Sequence, residues 1–382
     1  MEKAIEHDSN IKKWYQQAKR IVIKVGSAVL TNEKGLDTGM IHQITNQIAA
    51  LQNMGKQVTL VSSGAVAAGI ARLQGRIRPK TIPEKQAMAA IGQARLMQAY
   101  EEAFQRYNIE VAQVLLTRAG LIPRTRYVNA KNTLKTLIGW DIIPIINEND
   151  TVSTEELQFT DNDALAVLVV NLVEADMLVI LSDIDGLYEA DPRKNPDARR
   201  IPHVTGVTDE IISLSGDEPG RAGRGGMKSK LEAARMVTAC GIPMVIAHGR
   251  TENILQRLFD GESIGTFFQP ESQRRVYGRK PWIAYALKRK GIIEIDDGAV
   301  KALTCKGKSL LPVGIKGVSG RFNKGDCVVC VNSQGKEIAV GISNFDSEEL
   351  KKLCGAQSCR IKEIIGRDAK EEAIHRDHMI TL

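Results

Sequence analysis

Residues 21–30 read IVIKVGSAVL. Ile21, Val22, Ile23 and Val25 form an apolar run of the kind that makes a buried strand, yet Lys24 stands inside it and Gly26-Ser27 follows at once. A lysine on an edge strand can snorkel its ammonium to water. A lysine beside a glycine turn, where backbone N–H groups are open, builds an anion site of the kind that takes phosphate. These ten residues leave both readings open, and the rest of the chain decides between them.

Outward from this stretch, strand and helix signals alternate over residues 20–268. DTGMIHQITNQIAALQNMG places Ile41, Ile44, Ile48 and Leu51 at helical spacing, with Gly55 as a stop. QVTLVSS is the next strand. Helical patterns cover about 84–107 and 126–139, with the strands VAQVLL and IIPIIN after them. ALAVLVVNLV reads as a helix, MLVILS as a strand, GGMKSKLEAARMVTACG as a helix and IPMVIA as a strand. Near-continuous apolar strands between helices predict an α/β fold: an open, parallel-rich sheet sandwiched by helices. Such sheets bind ligands outside the carboxyl ends of their strands.

The unusual residues cluster at those ends. SSGAVAAG (62–69) joins a strand to a helix through small residues, suiting either close packing or close approach to a ligand. INENDTVSTEELQFTDNDALA (146–166) is dense in amides and carboxylates: Asn147, Glu148, Asn149, Asp150, then Asp161, Asn162 and Asp163. One helix cap explains one of these; the density suits recognition of an amino group and positioning of cations. LSDIDGLYEADP (181–192) offers Ser182, Asp183 and Gly186 to a nucleotide or to a turn. GRAGRGGMKSK (220–230) is not a Walker loop, because Gly226 stands where that pattern needs lysine. A glycine-rich segment with Lys228 and Lys230 at a helix start still favours polyphosphate. The six histidines are scattered and no Ser–His–Asp arrangement is evident. Two phosphate devices flanking an acidic, amide-rich cluster fit phosphoryl transfer, which rests on positioning and charge neutralisation.

The chain of 382 residues has 43% hydrophobic and 25% charged residues, as a globular protein does, and no apolar run long enough for a membrane span. Its polar first 19 residues lack a signal core, and six cysteines are too few for a disulfide framework, so a reduced, cytoplasmic location is expected. The net charge of +7 is uneven: residues 1–270 hold 31 basic and 31 acidic side chains, residues 271–382 hold 21 and 14. After about residue 275 short strand patterns alternate with Gly, Asn-Ser and Asp turns, predicting a small β-rich domain. Cys327-Val-Val-Cys330 and Cys354…Cys359 raise a zinc site; two valines continuing a strand turn the first two thiols to opposite faces, against it. The basic tail with Tyr277, Trp282, Tyr285 and Phe322 raises RNA binding, weighed against an ordinary solvated face.

IVIKVGSAVL, VTLVSSGAVAAG, IIPIINENDTV, FTDNDALA, LVILSDIDGLYEADPR and GRGGMKSKLEAA resemble, in order, the motifs of glutamate 5-kinases of the amino-acid kinase family. The tail, including HRDHMI, is similar to the PUA domain often appended to them. The resemblance implies a polar extension at 1–19, a kinase domain at 20–268, a linker at 269–275 and a PUA-like domain at 276–382. It implies ATP-dependent phosphorylation of the γ-carboxylate of L-glutamate, with Mg²⁺, in proline biosynthesis. By motif position, Lys24, Lys230 and Asp163 are implied as catalytic, Asp163 holding the two lysines. Ser63, Asp150 and Asn162 are implied as glutamate-binding. Lys24, Gly26, Ser182, Asp183, Arg224, Gly225, Gly226, Met227, Lys228, Ser229 and Lys230 are implied as ATP-binding, and no metal ligand is assigned to the protein. Ser62 and Ser182 stand where the family often has threonine, which keeps the hydroxyl. A homo-oligomer, dimer or tetramer, inhibited by proline is also implied, with the segment from Thr117 to Asn129 a candidate for that control. Carbamate, uridylate, acetylglutamate and aspartate are alternative acceptors within the family; the acidic cluster favours an acceptor with an amino group.

Overall fold

The computed structural model describes residues 11–153, 162–214, 226–272, 275, 277 and 289–381. The chain divides into two units, Met1–Val276 and Tyr277–Leu382.

The first unit is built on an eight-stranded sheet. Its strands are β1 (Arg20–Val25), β2 (Gln57–Ser62), β3 (Val111–Leu116), β4 (Ile143–Glu148), β5 (Met177–Ser182), β6 (His203–Thr205), β7 (Met244–His248) and β8 (Thr266–Gln269). Their spatial order is β6-β8-β7-β5-β1-β2-β4-β3. The six strands from β7 to β3 are mutually parallel. β8 runs antiparallel to β7 and parallel to β6, so one margin of the sheet is reversed. β1 lies in the middle, flanked by β5 and β2. A central position excludes the edge-strand explanation of Lys24 and makes its burial deliberate.

Helices cover the sheet. α1 (Thr38–Asn53) is capped by the Asp37 side chain on the Met40 N–H and buries Ile41, Ile44, Ile48 and Leu51, the periodic set. It stops at Gly55, whose φ of +77° glycine takes without a steric penalty. α2 is Ala65–Arg72, and α3 is Ile82–Gln105, opened by a Thr81/Glu84 capping box. α4 (Arg124–Gly139), α5 (Asn162–Val173) and α6 (Met227–Ala239) follow. α5 is apolar nearly all round because it is buried between β1, α4 and α6. Residues 11–17 form a further helix, and Trp14, Tyr15 and Ala18 are buried with the first unit's core. Lys56 caps it, donating to the carbonyls of Tyr15, Gln16 and Ala18 at 3.2, 2.9 and 2.6 Å. The segment 269–275 starts inside β8 at Gln269, and Arg275 near its end pairs with Asp176.

The second unit holds a five-stranded sheet ordered β10-β9-β11-β12-β13: β9 (Arg289–Ile295), β10 (Ile315–Gly320), β11 (Cys327–Val331), β12 (Glu337–Ile342) and β13 (Met379–Thr381). Three short helices, Asp297–Thr304, Ser347–Leu353 and Ile361–Ile365, supply structure that the fading periodicity did not announce. Val328 and Cys330 face the main core of this unit, while Cys327 and Val329 face the other side with Val340. Burial pushes both thiols up to about 12, so they are protonated apolar fillers. None of the six cysteines forms a disulfide, and no group of three or more His, Cys, Asp or Glu among the described residues is placed to hold a metal. Phe322 is buried in the core, against the backbone of Gly291, and is not a surface platform for a base. Trp282 and Tyr285 lie outside the described residues.

The second glycine of SSGAVAAG, Gly69, has a packing role. A Cβ on Gly69 would lie 2.0 Å from the Met88 carbonyl oxygen, and one on Gly92 1.8 Å from that of Ala65. α2 and α3 therefore cross backbone to backbone, helix on helix. Gly92→Ala is expected to cost about 2 kcal/mol or more in urea unfolding, because the contact is with backbone that cannot swing aside. Gly139→Ala, whose Cβ meets nothing within 4 Å, is the control and should leave stability unchanged or slightly raised.

Candidate active site

The parallel register brings the strand ends to one rim. Val25 pairs with Ser62 on β2 and Leu181 on β5, and His248 pairs with Ser182. Beyond the pairing, the Gly26 N–H donates to the Leu181 carbonyl at 3.0 Å, Ser63 N–H to Val25 at 3.2 Å and Gly249 N–H to Ser182 at 2.8 Å. Gly26, Ser63, Ser182 and Gly249, from four chain segments, thus lie side by side.

At the centre of this rim is a buried ion cluster. Lys24 Nζ is 2.5 Å from Oδ1 of Asp163, and Lys230 Nζ is 3.2 Å from Oδ2. Ser229 Oγ lies 3.2 Å from the same Oδ2. Asp163 is wholly inaccessible and both lysines are 3% exposed. β1, the first turn of α5 and the first turn of α6 each supply one charge. Among the described residues these contacts set two ammoniums against one carboxylate, a net positive balance. A buried excess charge is costly unless the site exists to receive its opposite, so the cluster suits a bound anion. Gly26 keeps Lys24 approachable: a Cβ there would stand 3.9 Å from its ammonium.

Next to the ions lies an amide relay. Asn162, adjacent to Asp163 on α5, donates Nδ2 to the Ser62 carbonyl at 3.0 Å, Ser63 Oγ at 2.8 Å and Asn147 Oδ1 at 3.0 Å. Asn147 Oδ1 also accepts from the Glu148 N–H at 2.9 Å, and its Nδ2 donates to Gln93 Oε1 at 2.9 Å. Asp150 opens the 3-10 turn Asp150–Val152 just past β4. Ser63, Asn162 and the turn of Asp150 therefore share one corner of the rim. The cluster at 146–163 is legible in sequence; the part played by Gln93, sixty-nine residues before Asn162, is not. Its trace is a lone glutamine on the apolar face of α3, among Met88, Ala89, Gly92, Leu96 and Tyr100.

On the other side of β1, Ser182 donates to Asp183 Oδ1 at 3.0 Å; Ser182 is buried and Asp183 exposed. Gly226 caps α6, its carbonyl accepting from Ser229 Oγ at 2.9 Å, and Met227 is the first helical residue. Lys228 is exposed, unlike Lys230 two residues on. Arg224, Gly225 and Asp161 lie outside the described residues. A support that sequence reading missed is the Gly249-Arg250 pair after β7. Arg250 bonds Asp37 Oδ2 and the Thr31 carbonyl, each at 2.9 Å, and a Cβ on Gly249 would lie 2.7 Å from Val29. Together they hold the turn after Gly26 from below.

Glu148 ends β4 with its carboxyl pushed up to about 7, first by burial and then by the nearby Asp150 charge; the Ser153 hydroxyl at 3.4 Å and Arg118 pull the other way. Above its ordinary 4.5 the unfolded chain releases this proton while the folded chain keeps it to about 7. The folded state then binds more protons, so Glu148 makes stability fall as pH rises from 4.5 to 7. Glu148→Gln should remove that loss: the Tm of the variant minus that of the wild type is expected to grow across this window and level off above it. A difference independent of pH would place Glu148 in an ordinary, hydrated setting.

Comparison with known proteins shows the family. The amino acid kinase family matches residues 19–248, and the PUA domain matches residues 291–365. Glutamate 5-kinase of Pelobacter propionicus is 48% identical over 369 residues, 96% of this chain and 99% of that protein. Glutamate 5-kinase of Thermus thermophilus is 48% identical over 362 residues, covering 95% and 97%. Among solved structures, carbamate kinase from Giardia lamblia bound to AMP-PNP is similar at 18% identity and a TM-score of 0.49, over 67% of this chain and 100% of that one. Lys24, Asp163 and Lys230 all fall within the matched span, and the chain belongs to the amino acid kinase family, grouped with glutamate 5-kinases and followed by a PUA domain.

Proposed function

We propose that the chain transfers the terminal phosphoryl group of ATP to the γ-carboxylate of L-glutamate, giving L-glutamyl 5-phosphate, the first step of proline biosynthesis. One observation carries the mechanism: Asp163 grips Lys24 and Lys230 while its neighbour Asn162 grips Ser63. A single helix start thereby sets the distance between the cations and the acceptor corner.

A γ-carboxylate is ionised at neutral pH, so no general base is needed. A carboxylate oxygen attacks the terminal phosphorus, the bond to the bridging oxygen breaks, and ADP leaves with the electron pair. The obstacle is one anion approaching another. Lys24 and Lys230 neutralise the transferring group, and Gly26, which has no side chain, leaves room for its oxygens beside Lys24. Asp163 holds both ammoniums in place without being able to leave, since it is buried between them. Asp150 meets the α-ammonium of glutamate; Ser63 and Asn162 orient the amino acid. Ser182, Asp183, Gly226, Met227, Lys228 and Ser229 line the nucleotide side, and Arg224 and Gly225 are assigned to it by motif position alone. The donor set fits Mg²⁺ carried on the nucleotide phosphates, because the one buried carboxylate at the centre is committed to two lysines. There the ion would add positive charge to the phosphates. An ATP- and glutamate-using enzyme with six cysteines and no disulfide fits the cytoplasm.

The test is acyl-phosphate formation from glutamate and ATP, trapped with hydroxylamine. Lys24→Ala and Lys230→Ala, checked for folding by thermal melting, should each lower kcat by ~10²-fold or more. Asp150→Ala should mainly raise the KM for glutamate, because an ammonium contact acts before the transition state. Smaller losses in both lysine variants, or an unchanged KM, would remove these residues from their roles.

We further propose feedback by proline and a homo-oligomeric assembly, both from the resemblance. Proline shares the α-amino-acid end of glutamate. The segment from Thr117 begins where the Leu116 carbonyl accepts the Asn149 N–H at 2.8 Å, beside the Asp150 turn. Proline should inhibit competitively with glutamate, and saturating proline without effect at low glutamate would exclude it. Val128 and Trp140, 41% and 68% exposed at the two ends of α4, are apolar surface that an assembly would cover.

A further inference from the structure

α3 lies outside every motif that marks the acceptor corner, yet two of its glutamines reach into it. Gln93 Oε1 accepts from Asn147 Nδ2 at 2.9 Å, and Gln86 donates Nε2 to the Ser153 carbonyl at 3.2 Å. Seven residues apart, they lie two turns along one face of the helix. Their partners, Asn147 and Ser153, stand three residues before and three after Asp150. The segment that carries Asp150 is thus tied to α3 at both ends. α3 is itself fixed against α2 by the Gly69/Gly92 crossing, and α2 begins two residues after Ser63.

Gln93 does more than anchor. An amide side chain has one accepting and one donating end, and its partners decide which way it faces. With Asn147 Nδ2 spent on Gln93, Asn147 Oδ1 faces Asn162 Nδ2 and the Glu148 N–H. Asn162 Nδ2 is then held inward by Asn147, Ser63 and Ser62, which turns its Oδ1, an acceptor, the other way. An outward acceptor on the corner that also carries the turn of Asp150 is what an ammonium group requires. Gln93 is nine-tenths buried, and its own Nε2 has no hydrogen-bond partner among the described residues. A buried glutamine kept at the cost of an unmatched donor has a use for its oxygen.

We infer that Gln93 and Gln86 are positioning residues for the acceptor's amino group: Gln93 sets the facing of the Asn147–Asn162 relay, and both clamp the segment of Asp150. This rests on the proposed function for the identity of the acceptor. Loss of the Gln93 oxygen leaves Asn147 Nδ2 buried without an acceptor, frees that side chain to turn, and loosens the corner that sees the ammonium.

The test is steady-state kinetics on the full chain with Gln93→Met, Gln93→Glu and Gln86→Ala, with thermal melting alongside. Gln93→Met should raise the KM for glutamate by ~10-fold while kcat changes by less than ~3-fold and the KM for ATP stays within ~2-fold. Gln93→Glu keeps an oxygen for Asn147 in either protonation state and should stay within ~3-fold of the wild type. Gln86→Ala, half-buried and tolerant of truncation, should raise the glutamate KM by ~3-fold. A merely structural role would lower Tm and weaken both substrates together. Parallel rises in both KM values, an unchanged glutamate KM, or Gln93→Glu as impaired as Gln93→Met would each overturn the inference. Should Gln93→Met fail to fold, the other two variants decide by the same readouts. Absence of acyl phosphate with the wild type overturns the proposed function instead, so the two failures are distinct.

Discussion

The contact of Asp163 with Lys24 and Lys230 is the constraint on which the rest of the first unit depends. Three buried charges cannot be tolerated unless each is held within hydrogen-bond reach of its partner. β1 must therefore end where α5 and α6 begin, with the three termini level. The parallel sheet provides this: helices that follow strands start at the same rim, and their first turns point at it. A fully neutral cluster at that rim would be a structural ion pair; two ammoniums around one carboxylate suit an anion from outside.

Around this centre the molecule separates two tasks. One side of β1 offers glycine, serine and the start of α6, which suits phosphate. The other offers amides and carboxylates, which suits a cationic amino group. Asn162 and Asp163, consecutive on α5, belong one to each side. Rigid backing keeps these settings. Gly249 and Arg250 support the turn after Gly26, and the glycine crossing of α2 and α3 carries Gln93 and Gln86 to the acceptor corner. Neither support contributes a charge to the ion cluster, so both are invisible to a search for chemistry-bearing motifs.

The elements of the kinase unit were readable because local periodicity and burial agree there. The apolar strands are buried on both faces, and the amphipathic face of α1 is the face it buries. The reversed margin formed by β6 and β8 was not readable, since three- and four-residue strands carry too little pattern to fix direction. Tyr15 sits in a polar stretch, and its burial follows from packing against Phe259 and Phe267, about 250 residues later. Phe322 was misplaced for the converse reason: an aromatic in a basic region looks available until Gly291 is seen to make room for it.

By itself the sequence determined the fold class and the family, and it singled out Lys24, Asp163 and Lys230, which the fold then brings together. Charged residues at strand ends and glycines at turns have few inexpensive explanations, and their types are set by chemistry that acts over one or two bonds. The tertiary structure alone decided which side chains hold those residues still. Gln93 acts on Asn162 through Asn147, and Arg250 acts on the turn of Gly26 through Thr31 and Asp37, over separations of 69 and more than 200 residues. Hydrogen bonds depend on distance and direction in space, and no local periodicity records which distant segments folding will bring within 3 Å of each other.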